Sequence, residues 1–390
     1  MEVGRNHNGL VDLAIIGGGP AGTAAALEAR RHGMKVAIWD RDRFPRDKVC
    51  GEFLSAESIP LLDQEIPALL ERASHIRRSE FISPAGRVHE FDLPQAGRGL
   101  SRWVLDEAMW QAAETAGARA RAGEAIRNLR RLDPSAHHGA NWELKSENGS
   151  STLAGSLLVA CGRWWSIDGL PSPARECKAD AVGPWMGAKA HFSEVAHRRA
   201  VEMYYFPGGY CGLAPIEDWQ YNACCLIHRR LVRESAAGSL EDFALWLRNV
   251  AHHPALAARL HGAVQTSMTV STAPLRPARR RAGNDGTLLA GDAAGFLDPF
   301  TGDGISMALH SGRLAAQELA GAWSRMETSL ERSAASYRRR LDGAVRRSYW
   351  VAKLLRALVS APAGLQSSAA AVLPKLGRRL LEETRWREAD

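Results

Sequence analysis

The chain of 390 residues is poor in cysteine and has no long apolar run. Its six cysteines show no metal-ligand spacing, since Cys224 and Cys225 are adjacent and the others are scattered. This pattern argues against a metal site and is typical of reduced thiols in a cytoplasm. No apolar run approaches the length of a transmembrane helix, and Met1 to Leu10 is too polar for a signal peptide. We therefore expect a cytoplasmic protein without a metal.

The chain also lacks internal repeats and any basic stripe interleaved with aromatic residues. Its net charge is +7, and arginine far outnumbers lysine. A basic balance can indicate a nucleic acid or a membrane surface as partner. Because the charges are dispersed along the sequence, we expect no nucleic-acid partner. The length predicts two domains, or one domain with a large insertion.

A glycine-rich segment lies close to the N-terminus. The apolar run Leu13 to Ile16 predicts a buried parallel strand, and Gly17-Gly-Gly19-Pro20-Ala21-Gly22 follows it directly. In such a segment the first glycine makes a tight turn, and the second lets a pyrophosphate approach the backbone. The third glycine lets the next helix, predicted for Ala21 to His32, pack closely on the strand. The start of that helix offers free N–H groups and a positive dipole end to phosphate.

A second strand is predicted for Lys35 to Trp39, and it ends in Asp40 with Arg41 beside it. Asp40 follows Gly22 by 18 residues, which is close to the spacing of a group that accepts hydrogen bonds from ribose hydroxyls. An acid at this place disfavours a 2′-phosphate, so NADP is not expected in this unit. Strand, glycines, helix, strand and terminal acid together predict a dinucleotide-binding unit.

The rest of the chain indicates an α/β fold in which a Rossmann-like domain is discontinuous. Pro84-Ala-Gly86 lies between alternating runs and predicts a hairpin, and short strands recur from Gly187 to Ile227 and at Thr266 to Val270. These strands predict an inserted, mostly antiparallel substrate-binding domain. The predicted boundaries are 1–78, 98–178 and 275–328 for the nucleotide-binding domain, 79–97 and 179–274 for the substrate-binding domain, and 329–390 for a C-terminal helical region.

Four places in residues 10–330 resemble the FAD-dependent oxidoreductases of the p-hydroxybenzoate-hydroxylase structural class. Within this class the chain looks most like the branch of geranylgeranyl reductases and flavin-dependent halogenases. The four places are the first glycine segment with Asp40, the run Phe44 to Ser55, Ser101-Arg102, and the run Gly291 to Ile305. The run Phe44 to Ser55 is similar to the segment that lies along the flavin, and it contains Cys50 and Gly51. The resemblance implies FAD as the cofactor, with Arg102 near it.

The run Gly291 to Ile305 matches the second FAD motif of this family. The Asp292 carboxylate can accept hydrogen bonds from the ribityl chain or the ribose, and Ala293 keeps bulk away from the pyrophosphate. Pro299, Gly302 and Gly304 fall in the order of the family, and the two glycines let the edge of the isoalloxazine lie against backbone. The helix predicted from Ile305 directs its positive end at the pyrimidine side of the flavin.

The chain departs from the pattern of its relatives at three places. Aromatic hydroxylases of this class carry an Asp-Gly motif used by both FAD and NADPH, and Cys161-Gly162-Arg163 stands there instead. Halogenases need a lysine after the flavin-side segment, and no lysine occurs between Lys48 and Lys145. Their paired-tryptophan motif is absent too, because Trp164-Trp165 are adjacent and in another setting. Halogenation is therefore not expected, and an ordinary docking mode for NAD(P)H is in doubt.

The run Tyr204 to Pro215 resembles the strand pair that lines the substrate cavity in the reductase branch. We expect Tyr204, Phe206 and Tyr210, with Pro299, to form an apolar pocket wall, although each aromatic residue could equally belong to a sheet core. The candidate catalytic residues are Cys50, Glu52 and Tyr210. Cys50 could act as an acid or thiol partner or simply pack, and Glu52 could donate a proton, orient the flavin or be a solvated acid.

These observations predict an FAD-dependent oxidoreductase that acts on a lipophilic small molecule, isoprenoid or polyketide-like. Two reactions are open: hydride transfer at flavin N5, or hydroxylation or epoxidation through a flavin hydroperoxide. NADPH, NADH or an electron donor protein could supply the electrons. A non-catalytic flavin-binding partner protein is a further alternative. The C-terminal helices could cover the pocket, contact a membrane surface or pack as amphipathic helices.

Overall fold

A computed structural model of the chain describes residues 7–170, 185–233, 243–249, 253–272, 278–279, 287–296, 302–325, 330–359 and 385–386. Its strands are β1 (His7–Ile16), β2 (Val36–Asp40), β3 (Phe53–Leu54), β4 (Ser74–Ile82), β5 (Val88–Gly99), β6 (Arg119–Ala122), β7 (Ile126–Arg131), β8 (Trp142–Ser146), β9 (Ser151–Val159), β10 (Trp185–Ser193), β11 (Ala200–Phe206), β12 (Gly209–Pro215), β13 (Tyr221–His228), β14 (Val264–Gln265), β15 (Val270–Thr272), β16 (Ala278–Arg279), β17 (Leu288–Leu289) and β18 (Gly295–Phe296). Its helices are α1 (Pro20–Arg31), α2 (Ile59–Glu65), α3 (Pro67–Arg72), α4 (Arg102–Thr115), α5 (Arg229–Arg233), α6 (Phe243–Asn249), α7 (Pro254–Arg259), α8 (Gly304–Ser324) and α9 (Glu331–Val359).

The first sheet has the nucleotide-binding topology that the N-terminal segment predicts. β1 lies between β2 and β9 and is parallel to both, β6 continues beyond β2, and β17 is parallel to β9. β8 and β7 extend the sheet in antiparallel order. Because parallel strands at the centre are covered on both faces, Leu13 to Ile16 are all buried. The carboxyl ends of β1, β2, β9 and β17 therefore meet at one edge.

The second sheet is mostly antiparallel. Its order is β14-β10-β13-β12-β11-β4-β5-β3, with β15 also paired to β10. The exception is the parallel pair of β4 and β11. One face of this sheet packs against α6 and α7, and the other face is turned to the segment that carries Cys50 and Glu52. The architecture confirms the predicted α/β fold with a second, mostly antiparallel sheet.

The two glycine-rich segments are joined by the packing of α1 against α8. A Cβ atom added at Gly312 of α8 would lie 2.0 Å from the carbonyl oxygen of Ala21 in α1, so only glycine permits this approach. The backbone N–H of Gly291 donates to Ser311 Oγ at 2.9 Å, which fixes the second segment to the same helix. α9 packs behind, where the Tyr337 hydroxyl donates to the Leu289 carbonyl.

Two details of the predicted layout differ from the structure. The run Thr266 to Val270 is a loop for most of its length, between the two-residue strand β14 and the three-residue strand β15. These edge strands are too short to produce a clear alternating pattern. Two strands of the second sheet also start inside the range predicted for the nucleotide-binding domain. These are β3, at Phe53–Leu54, and β4, which begins at Ser74. The domain boundaries themselves stay a prediction.

Candidate functional site

A cavity of about 520 Å³ lies where the two glycine-rich segments meet, at the carboxyl edge of the first sheet. Gly22 and Ala293 are buried near this cavity but do not line it, and Pro299 is outside the described residues. The other residues predicted to bind the cofactor line the cavity: Gly17, Gly19, Pro20, Ala21, Asp40, Arg41, Cys50, Gly51, Arg102, Gly162, Asp292, Gly302, Gly304 and Ile305.

The glycines of the first segment are there because neighbouring backbone is too close for a side chain. A Cβ atom at Gly17 would lie 2.4 Å from the Ala160 carbonyl oxygen, and Gly17 has a φ of +111°. A Cβ atom at Gly22 would lie 1.8 Å from the Gly17 carbonyl oxygen. Helix α1 can therefore start directly against the end of β1, with its N-terminal N–H groups at the cavity.

Positive charge flanks this helix start. A Cβ atom at Gly19 would lie 3.7 Å from a guanidinium nitrogen of Arg102 and 3.8 Å from one of Arg46. Burial opposes the charge of Arg102, but Asp106 outweighs it and raises the pKa of Arg102 above its usual value. The two side chains form a bidentate pair at 2.6 and 2.7 Å. Helix dipole and guanidinium charges thus make this end of the cavity favourable for an anion.

Asp40 ends β2 at the edge of the cavity, where its carboxylate accepts three hydrogen bonds from the protein. Oδ2 accepts from the Gly18 N–H at 2.7 Å, and Oδ1 accepts from the Asp42 N–H at 2.9 Å and from Arg46 at 2.5 Å. A carboxylate has about four lone-pair positions. One position therefore remains for the ribose hydroxyl that the sequence predicts as its partner.

The second segment reaches the cavity through Asp292 and Phe296. Arg163, which follows Gly162, pairs with Asp292 at 3.6 Å and donates to the Thr272 hydroxyl at 3.2 Å. Its guanidinium also lies 4.3 Å from the centre of the Phe296 ring. Arg163 therefore connects the end of β9 to the second segment across the cavity.

A buried charged network lies under the Cys50–Phe53 segment, and we call it the Glu52 network. Its members are Glu52, Lys189, His191 and Asp47. The Glu52 carboxylate is fully buried and accepts from the Lys189 ammonium, from His191 Nε2 at 2.7 Å and from the Arg102 N–H at 2.9 Å. Lys189 is also fully buried and lies 2.8 Å from Asp47 and 3.0 Å from His191. Asn222 donates to the Cys50 carbonyl at 2.9 Å and holds the same segment.

Oxygen and nitrogen atoms of Asp47, Glu52 and His191 lie within 4.8 Å of one another, as in many metal sites. The Lys189 ammonium contacts all three of these side chains. A positive charge from the protein itself therefore occupies the place that a metal ion would take.

The second sheet turns two different surfaces to its two sides. Tyr205, Tyr210 and Leu226 lie on the side of the Glu52 network, with Tyr210 and Leu226 packed against Phe296. Tyr204 and Phe206 alternate with Tyr205 and lie on the opposite side, in the core under α6 and α7. The prediction of Tyr204 and Phe206 as pocket wall therefore needs correction, because both side chains are buried away from the cavity. Tyr210 lies on the side of the cavity, but it is buried against Leu226 and Phe296 and does not line the cavity, so its role as pocket wall stays a prediction.

Comparison with known proteins identifies the family to which this chain belongs. Residues 10–347 match the family described as FAD binding domain. The chain belongs to this family.

Digeranylgeranylglycerophospholipid reductase 2 of Methanopyrus kandleri is 28% identical over 325 residues, which cover 82% of this chain and 79% of the relative. Menaquinone reductase of Mycobacterium tuberculosis is 28% identical over 340 residues, covering 79% of this chain and 76% of the relative. The solved structure of the flavin-dependent brominase Bmp2 superposes with a TM-score of 0.74 at 19% identity, covering 97% of this chain and 94% of that chain. The protein is therefore a flavin-dependent oxidoreductase with FAD as cofactor, as the sequence motifs predict.

The residues around the cavity fit FAD. Gly51, Gly162 and Gly304 all line the cavity, and a Cβ atom at each would meet nothing within 4 Å. Side chains at these places would occupy the space in which the cofactor has to lie. The start of α1 with Arg102 and Arg46 suits the pyrophosphate, and Asp40 and Asp292 suit hydroxyl groups. None of the helices in the described ranges is both long and apolar enough to cross a membrane.

The chemistry of the two acidic catalytic candidates differs sharply. Burial opposes the charge of Glu52, but hydrogen bonds and charge from His191 and Lys189 outweigh it and lower the pKa of Glu52. A carboxylate held ionised by three donors is a poor proton donor, so the flavin-orienting alternative suits Glu52. Burial raises the pKa of the Cys50 thiol, with Arg102 acting in the opposite direction. Cys50 therefore carries its proton at neutral pH, on the wall of the cavity.

Sequence reasoning missed Lys189, His191, Asn222 and Tyr205. A signal for the first two was present in the run Gly187-Ala-Lys-Ala-His-Phe192. A lysine and a histidine two residues apart in an apolar strand share one face of the sheet, and a buried lysine needs an acidic partner. The sequence offered no way to identify Glu52 as that partner, because it lies 137 residues away from Lys189.

Proposed function

We propose that this flavoenzyme reduces carbon–carbon double bonds of a lipophilic molecule, isoprenoid or polyketide-like, by hydride transfer. The observation that carries the proposal is the apolar cluster of Tyr210, Leu226 and Phe296, which reaches the cofactor cavity through Phe296. An apolar, aromatic wall with few polar groups suits a hydrocarbon chain. The names of the two relatives, reductases of an isoprenoid-bearing phospholipid and of menaquinone, support this substrate class.

Bound FAD supplies hydride transfer at N5 of its isoalloxazine ring. The protein has to supply the rest of the reaction. Reduction of a double bond adds a hydride to one carbon and a proton to the other. The Cys50 thiol lines the cavity and keeps its proton at neutral pH because burial raises its pKa, so we assign the proton to it. The charge of Arg102 acts in the opposite direction and favours the thiolate that is left, which regains a proton from solvent before the next turnover. Glu52 holds the Cys50–Phe53 segment in place through its bond to the Arg102 N–H.

The lysines on this side of the molecule argue against halogenation. Lys48 lines the cavity at the Asp40 end and pairs with Asp42 at 2.6 Å. Lys189 is fully buried and paired with Glu52 and Asp47. Both ammonium groups are therefore engaged in ion pairs and are not free to approach a substrate. The likeness to the brominase concerns the fold alone.

The test uses the FAD-loaded protein under anaerobic conditions. NADH and NADPH are compared as reductants, and dithionite serves where neither works. A geranylgeranylated phospholipid or menaquinone is then added, and the molecular masses of the products are measured by mass spectrometry. We expect a gain of two hydrogen atoms for each double bond reduced, and we expect Cys50→Ala to lower the rate strongly while FAD stays bound.

The same samples exposed to air test oxygen insertion as the competing reaction. Products that gain an oxygen atom, with none that gain hydrogen alone, would replace the reductase proposal by a monooxygenase. Flavin that no pyridine nucleotide or electron carrier reduces at a useful rate would point to a non-catalytic role. Val88→Ser, on an exposed side chain of β5 away from the cavity, serves as the matched control.

A further inference from the structure

Three exposed apolar side chains lie at one end of the second sheet, and we call them the Trp219 edge: Trp219, Val264 and Met268. Met268 is 85% exposed and Trp219 is 76% exposed, the highest values for any large apolar side chain in the described ranges. Val264 is 53% exposed. The Thr266 hydroxyl donates to the Gln220 side-chain oxygen at 2.7 Å, so the two segments that carry these residues are held together.

The backbone displays Trp219 at an energetic cost. Asp218 has a φ of +53° and Trp219 has a φ of +61°. Aspartate is among the residues that tolerate the left-handed region, but this region is unfavourable for tryptophan. Two polar interactions hold the turn in place. Asp218 pairs with Arg72 at 2.9 Å, and the Glu217 carboxylate accepts from the Ser101 N–H at 2.8 Å. Burial gives no reason for this conformation, because Trp219 is 76% exposed and its indole lies at the edge of the sheet near His197.

A basic surface adjoins the Trp219 edge. The His197 ring lies 5.0 Å from the Trp219 ring, and Arg198 and Arg199 follow in the chain. The Arg77 N–H donates to the Arg199 carbonyl at 2.8 Å, which places these two arginines side by side. Together with Arg78 and Arg198 they line a groove of about 520 Å³ that also contains Glu80 and Asp92.

The arginines of this groove differ in how far their charge is already neutralised. Arg78 pairs with Glu90 at 2.9 Å, and Arg198 pairs with Glu80 at 3.2 Å. Arg77 and Arg199 form no ion pair with any residue in the part of the chain that the structure describes. These two guanidinium groups therefore provide uncompensated positive charge next to the exposed apolar side chains.

We propose that the Trp219 edge and the Arg77–Arg199 pair form the surface by which this enzyme docks on a bilayer that contains anionic lipids. Tryptophan is favoured at the level of lipid headgroups, because its ring is apolar and its N–H is polar. Arginine binds phosphate through two parallel N–H donors. Separate apolar side chains that project beside basic groups suit a bilayer interface better than the flat, continuous patch of a protein interface.

The surface is connected to the cofactor site through a short path. Glu217, two residues before Trp219, binds Ser101, and the Ser101 hydroxyl caps α4 by accepting from the Val104 N–H. The next residue, Arg102, lines the FAD cavity. Docking at this end would bring a membrane lipid to the enzyme, but the docking surface itself does not depend on which bond is reduced.

The experiment measures flotation of the FAD-loaded protein with vesicles, without reductant or substrate. Vesicles of phosphatidylcholine alone are compared with vesicles that contain about a third phosphatidylglycerol. We expect the wild type to bind the anionic vesicles and to be released by salt. Trp219→Asn with Met268→Asn should weaken binding about tenfold, since asparagine tolerates the left-handed backbone while removing the apolar surface.

The basic pair is tested by Arg77→Gln with Arg199→Gln. This variant should lose about tenfold or more in binding to anionic vesicles and most of the salt dependence. Trp323→Ser, at an exposed tryptophan on α8, is the matched control and should bind like the wild type. All variants should keep their FAD absorbance, because the exchanged side chains are exposed and lie outside the cavity.

Three outcomes would overturn the proposal. The first is wild-type protein that binds neither kind of vesicle, and the second is unchanged binding in both double variants. The third is loss of binding in Trp350→Ser, which would transfer the role to α9. Turnover of detergent-dispersed substrate is measured separately, so a failed docking proposal and a failed reductase proposal give different results.

Discussion

Two fully buried glutamates stand on opposite sides of the second sheet, and their partners differ in kind. Glu202 in β11 faces α7, where Arg259 holds its carboxylate through two nitrogens and the Tyr204 hydroxyl donates at 2.6 Å. Glu52 faces the cofactor cavity, where Lys189, His191 and a backbone N–H hold it. Both sites satisfy a buried charge, but only the Glu52 site fixes a backbone segment that lines the cofactor cavity.

The comparison shows how to separate a structural ion pair from one that positions a cofactor. Glu52 has a φ of +55°, so its own backbone is held in the left-handed region. The Glu202 pair joins a sheet to a helix inside a closed core, and its loss should change stability alone. Loss of the Glu52 network should change both the stability of the protein and the properties of the flavin. The following experiments test this distinction.

The largest effect is expected when the cationic partner of either buried glutamate is removed. Lys189→Met and Arg259→Met each leave a buried carboxylate without its partner, which should lower the free energy of unfolding by about 3–5 kcal/mol. Only Lys189→Met should also weaken FAD binding and lower the reduction potential of the flavin, because a positive charge near it is lost. Urea unfolding, FAD titration and spectroelectrochemistry provide the three measurements. Equal loss of FAD affinity in both variants would contradict the distinction.

The second largest effect is expected in a double variant of the Glu52 network, which should regain stability that a single variant has lost. Glu52→Gln combined with Lys189→Met removes both charges, so the double variant should regain about 2–3 kcal/mol of the stability lost in Lys189→Met. The reduction potential should also return toward that of the wild type. A double variant as unstable as the single one would mean that Lys189 acts through packing rather than charge.

A smaller effect separates the tyrosines of the two faces. Tyr204→Phe removes a buried hydrogen bond to Glu202 and should cost about 1.5–3 kcal/mol of stability with kcat/KM unchanged. Tyr210→Leu keeps apolar volume beside Phe296 and should raise KM for a lipophilic substrate about fivefold, because Phe296, which lines the cavity, loses its aromatic neighbour. Thermal unfolding and steady-state kinetics on both variants decide. A raised KM in Tyr204→Phe would show that the substrate reaches the other face.

The smallest effect is a dependence on pH. The pKa of Glu52 is lowered, so its contribution is complete above its ordinary value of 4.5 and is lost as pH falls through the lowered pKa. Burial opposes the charge of Lys189, but Glu52 and Asp47 outweigh it and raise its pKa above 10.5. The contribution of Lys189 is complete below 10.5 and is lost as pH rises through the raised pKa. The stability difference between wild type and the Glu52→Gln/Lys189→Met variant should therefore be constant from about pH 5 to 10 and shrink on both sides.

The sequence predicted the cofactor half of the molecule well because its signals are local. Strand, glycines, helix and terminal acid follow one another between Leu13 and Asp40, and the structure places them as the pattern requires. The second sheet was harder to predict. The short strands between Gly187 and Ile227 were predicted correctly, but period-two patterning cannot tell which side faces the cofactor when both sides are covered. Glu52 and Lys189 could not be paired, since no local pattern connects them.

The contact between Ala21 and Gly312 has a consequence for how the protein is made. The FAD cavity is lined by residues that range from Ile16 to Ala308, and α1 cannot reach its final packing until α8 has been synthesised. The N-terminal glycine segment therefore leaves the ribosome long before its partner exists, and the first sheet stays open on that side. We therefore expect FAD to be taken up late in biogenesis, after α8 has been synthesised and has packed against α1.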